Sequence, residues 1–174
     1  LQEISATYPG VSNNIDAATY IEGGVYLFVK GNTVYFHKIA GRQAAKTTTT
    51  SISKCFGLPD ELSISAMTEG EYGNFYLFSG DDVYQIRAIK LPNEQYIVFE
   101  VKHPKRKISD VFINYPKKTA VTSAIYVDGT FYLMQGAYTY KGTKESMSGA
   151  YNINSKEGLP SVAEGINLSP AFRS

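Results

Sequence analysis

Two histidines, His37 and His103, and one cysteine, Cys55, are the only imidazole and thiol groups of this 174-residue chain. A serine–histidine–acid triad or a multi-histidine zinc site would have to recruit one of the two imidazoles. His37 ends the aromatic run VYFHK and reads as a solvent-facing strand end, and His103, within VKHPKRK, reads as the terminus of an outer strand. The motifs G-x-S-x-G, H-E-x-x-H, C-x-x-C and G-x-G-x-x-G are absent. Cys55 lies on the apolar side of a short helical turn and reads as a small buried hydrophobe. The expectation is a chain that is not an enzyme, and no catalytic residue is assigned.

The remaining groups that could act are polar or charged. The basic run from Lys102 to Lys107, with Lys117 and Lys118 beyond it, could meet phosphate, but the net charge is only +1 and no aromatic residues interleave with the lysines. It reads as a solvated face, with neither nucleic acid nor membrane as partner. Thr47 to Thr50 suit an outer edge strand. Asn167-Leu168-Ser169 has the form of a glycosylation sequon but falls on a predicted inner strand. A single cysteine neither requires nor forbids an oxidising compartment and leans toward the cytosol. No apolar run reaches the ~20 residues of a membrane-spanning helix.

Four small residues, Asp16, Ser65, Thr122 and Ser169, gain interest from what surrounds them. Each opens a short run of small side chains, and the runs recur at intervals of about 50 residues. Paired aromatic strands follow the first three, with Tyr26, Tyr76 and Tyr132 read as equivalent, then Tyr35, Tyr84 and Tyr138 or Tyr140. An Ile-Ser-x-x-aromatic turn recurs at Ile4, Ile52 and Ile108, each with a proline close behind (Pro9, Pro59, Pro116) that cannot continue a helix. One unit thus reads as small-residue strand, two aromatic strands, a variable outer segment and a short helical turn. Ile97 to Val101 is the clearest outer segment, and Leu91 to Glu94 its polar turn.

Four strands per unit at this period predict an all-β, four-bladed propeller in one domain. The boundaries fall at 1–14 (tail of one blade), 15–61, 62–118 and 119–165 (full blades) and 166–174 (first strand of a further blade). No aromatic pair follows Phe172, so the chain reads as part of a longer protein. Where inner strands converge, at the level of Asp16, Ser65, Thr122 and Ser169, rings of carbonyl oxygen would form a hard-donor tunnel suited to Ca2+, Na+ or water, with Asp16 as one possible charge.

IDAATY followed by VYLFVKGNTVYF, with SISKCFGLPDELSISAM as a blade junction, resembles hemopexin repeats. INLSPAFRS is similar to a blade opening of the disulfide-free plant albumin-2 type. That resemblance implies a non-enzymatic binding protein with a small ligand, polyamine (spermine) or haem, and an ion in the tunnel at the four positions just named. It implies a seed protein, and a homodimer fits the group. The alternative is a protein-interaction or carbohydrate-binding, lectin-like module of a larger secreted protein.

Overall fold

The computed structural model describes Tyr8 and residues 10–21, 24–38, 46–89 and 97–158. These form three four-stranded antiparallel sheets, each meandering in chain order. The first holds β1 (Ala17–Ile21), β2 (Val25–Lys30), β3 (Thr33–Lys38) and β4 (Lys46–Ser51). The second holds β5 (Ala66–Glu69), β6 (Asn74–Ser79), β7 (Asp82–Ile89) and β8 (Val98–Lys107), and the third β9 (Ser123–Val127), β10 (Thr130–Gln135), β11 (Tyr138–Thr143) and β12 (Ser146–Asn152). Two short helices, α1 (Ile52–Phe56) and α2 (Ile108–Val111), follow the first and second sheets. No described helix is long and apolar enough to cross a membrane.

The three sheets repeat one hydrogen-bonding plan. The backbone N–H just before each first strand donates to the fifth residue of the second strand: Asp16 to Val29 at 2.8 Å, Ser65 to Phe78 at 2.9 Å, and Thr122 to Met134 at 2.8 Å. A glycine with left-handed φ then turns each chain into its third strand, at Gly31 (57°), Gly80 (58°) and Gly136 (58°), where a side chain would be strained. β1 lies beside β5, and β5 beside β9, so the small-residue strands are innermost. The TTTT run is β4, at an outer edge, as its composition predicts.

That frame aligns Tyr35, Tyr84 and Tyr140, which face Phe28, Leu77 and Leu133 across the sheet. It corrects the second-strand alignment. Tyr26 matches Phe75 and Phe131, whereas Tyr76 and Tyr132 match Leu27, one residue on. Because strand side chains alternate, that one-residue slip puts them on the opposite face. The predicted turn at 91–94 lies outside the described residues.

The second sheet is apolar on both faces. Met67, Phe75, Leu77, Ile86 and Phe99 pack toward the first sheet, with Leu27, Val34, Phe36 and the α1 residues Ile52, Cys55 and Phe56. Ala66, Tyr76, Phe78 and Val83 pack toward the third, with Ile108, Phe112, Leu133 and Met147. The aromatics of the second and third Ile-Ser-x-x-aromatic turns, Phe56 and Phe112, are inter-sheet wedges. Phe56 meets Phe99 at 5.4 Å, and Phe112 meets Tyr76, Phe78 and Phe131 at 5.7, 6.0 and 5.1 Å between ring centroids. Tyr8, the aromatic of the first such turn, packs on the first sheet, 5.2 Å from Tyr26 and 5.0 Å from Phe28.

Phe112 is fully buried. Phe112→Ala should therefore lower the free energy of unfolding by about 3–5 kcal/mol, the usual cost of such a truncation, read from urea unfolding midpoints. A loss below about 1 kcal/mol would show that the wedge is not what joins the second and third sheets.

Candidate functional site at the ends of the inner strands

Three of the predicted metal-site residues, Asp16, Ser65 and Thr122, share a level, one residue before each inner strand, where local structure uses their side chains. Asp16 Oδ2 accepts from Gly31 N–H at 2.7 Å. Thr122 Oγ1 accepts from Gly136 N–H at 3.1 Å, the equivalent bond one repeat on. In both cases the short polar side chain ties down the turn between second and third strands. Ser65 Oγ instead donates to Val121 O at 2.7 Å, crossing from the second sheet to the approach of the third. Ser169 lies outside the described residues, as does the sequon at 167–169. Among the described residues no group of three or more histidine, cysteine, aspartate or glutamate side chains could hold a metal. Each of the three described side chains thus carries a structural hydrogen bond, and main-chain oxygens are further candidate ligands for an axial ion.

The other end of the same strands carries chemistry that sequence spacing did not single out. Four residues past Asp16, Ser65 and Thr122 come Tyr20, Glu69 and Tyr126. Tyr20 is exposed and packs on Tyr26 at 5.2 Å, and Tyr126 is half-buried against Phe131 at 4.6 Å. Beside them the turn Glu71–Gly73 links β5 to β6. The Glu71 carboxylate accepts from Tyr76 Oη at 2.6 Å and pairs with Lys144, which lies 5.6 Å from the Tyr76 ring centroid. Burial pushes the Glu71 carboxyl up, but the bonds from Lys144 and Tyr76 outweigh it and leave it lowered. Burial, then the negative charge of Glu71, pushes the Tyr76 phenol far up. The Tyr126 phenol is also raised, by partial burial and then by Glu71, Tyr72 and Glu69, which marks this end as a region of negative potential.

The histidines differ from each other. His37 is not solvent-facing: it is 2% exposed, its Nδ1 lies 3.0 Å from Thr47 Oγ1, and the Tyr8 ring stands edge-on at 5.2 Å. The sequence reading missed this because Tyr8, twenty-nine positions earlier, supplies the cover. His103 is exposed within β8 rather than at its end, with a register shift on either side of it. The basic run forms the rest of that edge strand. Lys102 pairs with Glu100 at 2.6 Å, Lys107 with Asp81 and Asp82 at 3.0 Å, and Arg106 donates to Gln85 at 3.1 Å. Cys55 is buried, and burial pushes its thiol far above the reactive range.

The chain matches no protein-family model and no curated protein. Solved structures do match it. Hemopexin fold protein CP4 from cow pea is 19% identical, with a TM-score of 0.64 over 82% of this chain and 69% of that one. A 2S albumin seed protein from Dolichos is 18% identical, with a TM-score of 0.66 over 92% and 79%. A plant lectin with two metal binding sites from Cicer arietinum is 22% identical, with a TM-score of 0.64 over 95% and 75%. The fold is that of a hemopexin-like β-propeller. Within that class the chain is similar to plant seed albumins and to a plant lectin.

Burial lowers the His37 pKa below its ordinary value near 6.5. The unfolded chain then binds the extra proton first, so stability falls as pH drops below about 6.5 and continues to fall until the folded pKa is passed. His37→Gln should flatten the pH 5–7 segment of the stability profile, and an unchanged slope would show that His37 does not set it. In the Glu71 cluster, Lys144→Met should cost about 1–3 kcal/mol by leaving a largely buried carboxylate without its cation, measured by urea denaturation.

Proposed function

We propose that the chain is a non-enzymatic binding protein that takes an organic cation of the polyamine type at the tunnel end rimmed by Tyr20, Glu69 and Tyr126. The observation that carries this reading is the shared register of Tyr20, Glu69 and Tyr126, which pair with the equivalent residues Tyr26, Phe75 and Phe131 and so place one carboxylate level with two phenol rings. Carboxylates provide Coulombic attraction for an ammonium group, and tyrosine rings provide a cation–π surface for it and its methylenes. Haem is the weaker candidate. His37 would have to leave Thr47 and the cover of Tyr8 to ligate iron, and His103 lies on an exposed outer strand. The similarity to albumins and a lectin supports a binding role over catalysis.

Spermine should change tyrosine emission saturably, a clean readout in a protein with no tryptophan. Glu69→Gln should weaken that binding about ten-fold. Calorimetry and emission both flat up to millimolar spermine would sink the reading.

An ion held by main-chain oxygens of the inner strands accompanies this proposal, since the Asp16, Ser65 and Thr122 side chains are engaged elsewhere. Millimolar Ca2+ should then raise the unfolding temperature by a few degrees, because an ion that binds only the folded chain stabilises it by mass action. Asp16→Asn should leave that rise intact. Identical melting with EDTA, Na+ and Ca2+ would remove the ion.

A second reading, carbohydrate binding, is favoured by one further residue, Tyr72.

A further inference from the structure

Tyr72 stands at the middle of the Glu71–Gly73 turn with its side chain 87% exposed, and its backbone is left-handed at φ 56°, ψ 33°. That conformation is unfavourable for a residue with a Cβ and is ordinarily given to glycine, asparagine or aspartate. Asn14, Asn114 and Asp128, which share a positive φ here, follow that preference, whereas Tyr72 and Lys118 do not, and of these two only Tyr72 places an exposed aromatic ring on the turn. The fold gains nothing visible in return, since the ring takes part in none of the aromatic packing that joins the sheets. A glycine would make the same turn with less strain.

The turn is nevertheless held firmly. Glu71 is fixed by Tyr76 and Lys144, the Tyr72 carbonyl accepts from Arg87 Nη2 at 3.0 Å, and Gly70 N–H donates to Asn74 O at 2.8 Å. A strained, exposed aromatic on an anchored turn is a pre-organised contact for something outside the chain.

We propose that Tyr72 is the stacking platform of a carbohydrate-binding site, with the neighbouring Arg87 guanidinium as a hydrogen-bond donor to sugar hydroxyls. The C–H face of a pyranose packs on an aromatic ring while its hydroxyls need a polar surround, and Asn74 and Arg87 supply that surround. A protein partner would want apolar neighbours around the anchor, which this turn lacks. A nucleic acid would bring phosphates toward the Glu69 and Glu71 carboxylates. The proposal is independent of the cation reading and tested apart from spermine.

The test is a glycan array spanning neutral and acidic pyranoses, probed with the wild-type chain, Tyr72→Gly and Tyr72→Phe, with melting curves for all three. The wild type should bind a subset of glycans and Tyr72→Phe should retain it. Tyr72→Gly should lose at least ten-fold in affinity while melting no lower than wild type, as relief of backbone strain requires. Wild-type binding to no glycan, or equal binding by Tyr72→Gly, overturns the proposal. So does a lower melting point for Tyr72→Gly, because the fold would then be using the ring.

Discussion

The close approach of the inner strands is the constraint on which the rest of the structure depends. β1, β5 and β9 lie side by side, and at the start of β5 the gap to the next repeat is short enough for Ser65 Oγ to reach Val121 O. At this distance large side chains could not be accommodated, and Ala17, Ala66 and Ser123 open the three strands. Further out the sheets diverge, and the space between them needs bulk. Phe56 and Phe112 provide it at the two described junctions. Small residues inside and aromatic wedges outside are therefore two consequences of the same radial geometry.

This explains what was legible in the sequence. Small runs and Ile-Ser-x-x-aromatic turns recur because every repeat meets the same crowding and the same outer gap, so internal comparison finds them. The third-strand tyrosines Tyr35, Tyr84 and Tyr140 align for that reason. The second strands were misread because β6 and β10 carry adjacent aromatics on opposite faces, Phe75 with Tyr76 and Phe131 with Tyr132, and residue type alone does not say which matches Tyr26. His37 was misread for a different reason. Its burial depends on Tyr8, a contact that no local pattern records.

The candidate site was half visible. Repetition pointed to Asp16, Ser65 and Thr122, but it marks what every repeat needs, and what these three do is close turns and link sheets. Glu69, Glu71 and Tyr72 escaped attention because no other repeat has them. Their only sequence signal was the stretch EGEYG, two acids and a tyrosine between glycines, whose equivalents are the turns after Ile21 and Val127. In a repeat protein the architecture resides in the shared positions, and a specific function is better sought where one repeat departs from the others.

The departure at this turn is also supported by the scaffold. Lys144 comes from the β11–β12 turn of the third sheet, and Ile113, just past α2, brackets it by accepting from Met147 N–H and donating to Lys144 O, both at 2.8 Å. The carboxylate that Lys144 holds belongs to Glu71, immediately before Tyr72 in the chain. The segment after one sheet thus fixes a turn of the next, and that turn fixes the neighbour of the exposed ring. An exposed side chain on an otherwise unrestrained loop would lose conformational entropy on binding, whereas here much of that cost is met when the sheets pack. The inter-sheet contacts that build the propeller are in this way the same contacts that pre-organise its most exposed aromatic residue.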